Sequence, residues 1–131
     1  MENVNWGILG CGDVCERKSG PPMYKTPHSA LAAVMRRDAA KAADFARRHG
    51  VPKSYTDAAA LIADPEVDIV YVATPPGTHR ELAVQALEAG KPVYVEKPMA
   101  MNHAECLDMI AAAERSGQRL FVAYYLSLIH I

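Results

Sequence analysis

Short runs rich in Val, Ile, Leu and Tyr alternate along the chain with longer Ala-rich stretches in which apolar residues recur at helical spacing. The alternation predicts repeated β-α units, and the near-continuous apolar character of the short runs suits parallel strands buried on both faces. The fold class is therefore α/β, a doubly wound parallel sheet of about six strands. Strands are expected over 4–9, 31–35, 53–55, 67–73, 93–95 and 120–124, and the fourth of these, VDIVYVA, has the strongest strand pattern.

Capping and breaking residues mark the helices between them. A helix following Gly12 is expected to stop by Gly20, Pro21 and Pro22. The second runs from Ala39 to His49, with Asp38 placed to cap its open N–H groups and Gly50 and Pro52 to end it. Thr56 or Asp57 caps a third through Ala63. The fourth opens on a capping box of Thr78 and Glu81, turns Leu82, Ala83, Ala86 and Leu87 to the core, and ends at Gly90 and Pro92. Asn102 and Glu105 repeat that arrangement before a fifth helix, whose Ala104, Leu107, Ile110 and Ala111 are expected to face inward.

Composition narrows the classes. A chain of 131 residues, half of them apolar, is the size of one domain with a core of its own. The 14 basic and 15 acidic side chains give no electrostatic reason to expect nucleic acid or an anionic membrane as partner. No apolar run approaches the ~20 residues that span a bilayer, and MENVNW lacks the regions of a signal peptide, so a cytoplasmic location is expected. Cys11, Cys15 and Cys106 fit neither a redox pair nor a zinc framework, and the histidines at 28, 49, 79, 103 and 130 show no helical ligand spacing; no metal site is expected.

Three constellations carry chemistry. In GILGCGDVC, Gly10 permits a tight exit from the first strand and Gly12 lets backbone approach a pyrophosphate, with Asp13 and Val14 leading into the helix that faces it. Cys15 takes the third small position. This is the turn of a dinucleotide-binding Rossmann unit. The second constellation follows strand two, where an acid would bind the adenosine ribose of NAD. Here Arg36 and Arg37 stand first, and they favour the 2′-phosphate of NADP over NAD; Asp38 reads as a helix cap before it reads as a ribose ligand. The third lies at the carboxyl ends of strands four and five, where open α/β sheets bind ligands. ATPPGTH leaves strand four as a stiff loop, bringing Thr74, Pro75 and Pro76 beside the cofactor with His79 at its end, and Glu96, Lys97 and Pro98 follow strand five.

Together the glycine turn, ATPPGTH and AGKPVYVEKPMA resemble the N-terminal domain of the Gfo/Idh/MocA oxidoreductases over about 4–125. The resemblance implies hydride transfer between NADP or NAD and a hydroxyl-bearing carbon of a sugar, cyclitol or related polyol. It implies further that Lys97 assists proton transfer at the substrate hydroxyl, that Glu96 lies by the nicotinamide ribose, and that the Lys97–Pro98 bond is often cis. For His79 the family suggests a cofactor contact, whereas the sequence fits equally a place over a helix N-terminus.

Family members continue into a second α/β domain that supplies most substrate contacts. Here residues 1–125 are read as the nucleotide-binding domain, with that second domain and the oligomer interface it would carry absent. The ending 126–131, LSLIHI, resembles translated adapter read-through more than the arginine and crossover usual at this point. A cofactor-binding half without turnover of its own is expected. The competing readings are a non-catalytic dinucleotide-binding sensor or scaffold and a methyltransferase, the latter disfavoured by Arg36 and by the Glu96-Lys97-Pro98 triplet.

Overall fold

A computed structural model describes residues 4–12, 15 and 20–123. Six parallel strands form one sheet in the order β3-β2-β1-β4-β5-β6, with β1 at Val4–Leu9, β2 at Ser29–Met35, β3 at Lys53–Tyr55, β4 at Ile69–Val72, β5 at Val93–Glu96 and β6 at Leu120–Ala123. The helices are α1 at Gly20–Lys25, α2 at Ala39–His49, α3 at Ala58–Ile62, α4 at His79–Glu88 and α5 at His103–Ser116.

Strand alternation divides the apolar residues between two layers. Leu9, Met35, Val70, Val72, Val93 and Val95 face α3, α4 and α5, where they pack with Leu61, Ala83, Leu87 and Met109. Ile8, Val34 and Tyr71 point to the other face and meet Met23, Phe45 and Ala46 of α1 and α2. Each large side chain so buried contributes roughly 1.5–3 kcal/mol. The order reverses between β1 and β4, which opens a crevice at the carboxyl ends of those strands.

The capping predictions separate into those the structure matches and those it corrects. Asp38 accepts from the Lys41 N–H at 3.1 Å, Asp57 from Ala59, and Asn102 from Glu105, while Gly50 closes α2 in the left-handed region. Thr78 and Glu81 form no capping box: the Thr78 hydroxyl turns back to Thr74 Oγ1 at 2.6 Å and Pro75 O at 2.8 Å, because a 3-10 turn at Pro76–Thr78 precedes α4. Gly20, Pro21 and Pro22, expected to break a helix, are themselves the first residues of α1, while the helix expected between Gly12 and Gly20 falls largely outside the described residues. Proline is tolerated there because first-turn N–H groups have no intrahelical partner.

The inward face of α5 is also corrected. Met109 and Ala112 are buried, whereas Leu107 is 51% and Ile110 44% exposed. Two apolar sets share this helix, and only contact with α4 and the sheet selects between them. The second strand starts two residues earlier than expected and the fourth is shorter at both ends. Residues 124–131 lie outside the described residues.

At the amino-terminal edge of the sheet, Asp64 is 5% exposed and held by Tyr55 OH at 2.7 Å, Lys53 Nζ at 2.9 Å and the Glu66 N–H at 2.9 Å. The Tyr55 hydroxyl above all, aided by Glu66 N–H and Lys53, pulls its carboxyl down to about 2 against the opposing effect of burial. Lys91 Nζ donates to the Asp64 carbonyl at 2.6 Å and ties the segment before β5 to the same corner.

Candidate cofactor site

The chain leaves β1 through Gly10 at φ +85°, a conformation that strains any residue with a side chain. A Cβ there would also lie 2.8 Å from Thr74 Cγ2 and 2.9 Å from Thr74 N, so the turn closes directly against the loop after β4. The N–H groups of Gly10 and Cys11 both donate to Met35 O, at 2.8 and 3.2 Å, which fixes the turn to the end of β2. Gly12 differs. Among the described residues a Cβ on it would meet nothing nearer than Gly10 O at 4.0 Å, so its bare face looks onto open space at the crevice.

That crevice is a cleft of about 850 Å³. The glycine turn forms its floor, Thr74, Pro75 and Thr78 one wall, and Arg36, Arg37 and Lys41 another. Arg36 lies across the turn, its Nη1 donating to Cys11 O at 3.4 Å. Two acids on the same wall, Asp38 and Asp57, are engaged as helix caps. Among the described residues no carboxylate pairs with Arg36, Arg37 or Lys41 within ion-pair distance, so three cations face the cleft together.

Beside the cleft, β4 and β5 run parallel with Tyr71 opposite Tyr94. Tyr71 is buried, and its hydroxyl donates to Glu96 Oε2 at the end of β5. Lys97 follows on an exposed turn, and the Lys97–Pro98 peptide bond is cis, as the resemblance implies.

A glycine turn at the switch point, a cleft with grouped cations and a lysine at the next strand end form the pattern of a nicotinamide-dependent oxidoreductase. The family model described as an oxidoreductase family with an NAD-binding Rossmann fold, Gfo/Idh/MocA, matches residues 4–124. The chain belongs to this family. It is 50% identical over 122 residues to an oxidoreductase of Formosa agariphila, covering 93% of this chain and 38% of that protein. Among solved structures it is similar to a 3-ketoreductase from Actinomadura kijaniata in complex with TDP-benzene and NADP, with TM-score 0.87, 30% identity, and 92% and 38% of the two chains covered. It is also similar to an aldose-aldose oxidoreductase from Caulobacter crescentus complexed with glycerol, with TM-score 0.84, 35% identity, and 94% and 38% covered. The chain thus spans well under half the length of these Gfo/Idh/MocA relatives.

Of the residues singled out in the sequence, Gly10, Gly12, Arg36, Arg37, Thr74 and Pro75 line one cleft. Pro76 starts the 3-10 turn and is not among the lining residues, and Glu96 and Lys97 stand at the adjacent strand end. Asp13 and Val14 lie outside the described residues. His79 is not on the wall: it is 1% exposed, with both ring nitrogens on backbone carbonyls.

Sequence reasoning missed Lys41 and Tyr71. Lys41 carries a signal, standing three residues past the capping Asp38 and hence on the first turn of a helix beside the cleft. Tyr71 reads only as one more residue of a buried strand.

Proposed function

We propose that this chain is the cofactor-binding part of an oxidoreductase that prefers NADP and acts on a hydroxyl-bearing carbon of a sugar, cyclitol or related polyol. The observation that carries the reading is the placement of Glu96, Lys97 and Pro98 at the end of β5, next to the cleft floored by the glycine turn. The relatives that are an aldose-aldose oxidoreductase and a 3-ketoreductase with NADP support it.

A dinucleotide fits the residues present. The bare face of Gly12 gives room for a pyrophosphate, and Thr74 and Pro75 flank it. Arg36, Arg37 and Lys41 match the added charge of a 2′-phosphate, for which arginine offers paired N–H donors. The nicotinamide supplies an acceptor or donor of hydride. Oxidation of an alcohol also releases the hydroxyl proton, and the Lys97 amine is the group at this strand end suited to take it or, in the reverse direction, to give it. Tyr71 holds the Glu96 carboxylate in one position beside that lysine.

Two measurements test the reading. Titration of the purified chain with each cofactor is expected to give tighter binding of NADP than of NAD, and the opposite order would overturn the preference. Lys97→Met in a full-length protein carrying this segment is expected to lower kcat by about 10²–10⁴ with cofactor affinity little changed. Retained turnover would remove Lys97 from the chemistry.

A further inference from the structure

His79 opens α4 and is 1% exposed, yet it does not line the cleft. Its Nε2 lies 2.6 Å from Thr74 O and its Nδ1 2.9 Å from Pro98 O. Both partners are backbone carbonyls, which accept hydrogen bonds and never donate them. A neutral imidazole has one N–H and serves one carbonyl. The other would face a nitrogen lone pair at hydrogen-bond distance, a buried acceptor against a buried acceptor, which native interiors avoid. An imidazolium has two N–H groups and serves both.

We propose that His79 is a positioning residue, a buried imidazolium that clamps the loop after β4 to the turn that carries Lys97. Thr74 forms part of the cleft wall and Pro98 directly follows Lys97. One ring therefore sets the spacing between the cofactor wall and the group assigned to proton transfer. The purpose of the clamp rests on the cofactor reading above, whereas its existence rests on the ring alone.

Charged groups stand on α4, on the turn after β5 and on α5, whereas the loop of Thr74 carries none. Arg80 and Glu81 follow it on α4, Glu96 and Lys97 precede Pro98 at the strand end and turn, and Glu105 of α5 pairs with Arg80 at 3.8 Å. The N-terminus of α4 by itself disfavours a cation. Two short charge-assisted bonds to carbonyl oxygens oppose that effect.

Long-range ¹⁵N–¹H NMR of the labelled 131-residue chain, without cofactor, reads the proton count directly. His79→Phe identifies the ring by its loss from the spectrum. In the buffer of the binding titration both His79 nitrogens are expected to carry a proton, one for each carbonyl, and one bare nitrogen would overturn the charged clamp. His79→Phe also keeps a ring of similar size while removing both donors. It is expected to weaken NADP binding about tenfold, the scale of one buried hydrogen bond, and to shift the amide resonances of Thr74 and Lys97 while leaving those of α2 in place. A folded variant with unchanged affinity and unchanged amides would reduce His79 to packing and overturn the proposal. Should the variant not fold, the wild-type ring spectrum decides. Failure of the wild-type chain to bind NADP would count against the cofactor reading, and the ring spectrum would still judge the clamp.

Discussion

At the amino-terminal edge of the sheet, Asp64 is enclosed by Tyr55, Lys53 and the Glu66 N–H, so that its charge is met within the fold. At the carboxyl-terminal edge, Arg36, Arg37 and Lys41 share one cleft wall, and two of the acids that line the same cleft, Asp38 and Asp57, are engaged in capping helices. The first arrangement lowers the energy of the folded chain as it stands. The second gathers charge of one sign where water reaches it, which gains little for folding and much for an anion that enters. The same parallel sheet thus carries a stability corner at one end and a recognition cleft at the other. Substitutions at the two ends should separate in what they change.

The largest effect belongs to the one residue that serves both. Gly10→Ala introduces a side chain at positive φ and within 3 Å of Thr74, and is expected to cost roughly 3 kcal/mol in urea unfolding and to abolish cofactor binding. An alanine variant with native stability and affinity would show that the turn is not closed against that loop.

Next comes Asp64→Asn, expected to lose about 2 kcal/mol of stability while cofactor affinity, measured on the folded variant, is unchanged. The same residue predicts an acid limb. Its folded carboxyl is held at about 2, below the ordinary aspartate value of about 3.9, so its contribution is complete above roughly pH 4 and is lost as pH falls toward 2. Unfolding measured across that range should show the limb in the wild type and a flatter dependence in Asp64→Asn. A loss of cofactor affinity in this variant would break the separation of the two edges.

Arg36→Ala tests the other end. NADP binding is expected to weaken by about tenfold, from one lost charge-assisted contact, with NAD affinity and the urea midpoint little changed. Equal weakening for both cofactors would assign Arg36 to the shared part of the dinucleotide. The smallest effect is expected for Tyr71→Phe, about 1 kcal/mol in stability from the lost hydroxyl, with the Glu96 amide resonance displaced in NMR spectra.

The cleft was legible in the sequence to an uneven degree. Gly10, Gly12 and Arg36 could be placed because each follows a strand whose pattern is strong, and the end of a parallel strand is a fixed place in this architecture. Asp38 and Asp57 could be assigned as caps for the same local reason. The Thr78 and Glu81 box was not formed, since a 3-10 turn set the direction of Thr78 before α4 began. His79 was open between a cofactor contact and a place over the helix, and its bonds to Thr74 and Pro98 come from segments apart in sequence. The α5 face failed because Ala, Leu, Ile and Met repeat on more than one side of that helix.

What the sequence determined by itself was therefore the succession of strands, the glycine turn, the two arginines after the second strand and the strand end that carries Lys97. These depend on periodicity, on capping chemistry and on backbone freedom, all of which act over a few residues. Only the tertiary structure decided that Tyr71 holds Glu96, that His79 joins two loops, that Lys41 comes round to Arg36, and that Asp64 closes the opposite edge. Those contacts depend on which strands lie side by side and which helix face packs inward. Such choices are made by burial across the whole sheet, where short-range patterns leave several arrangements equally good.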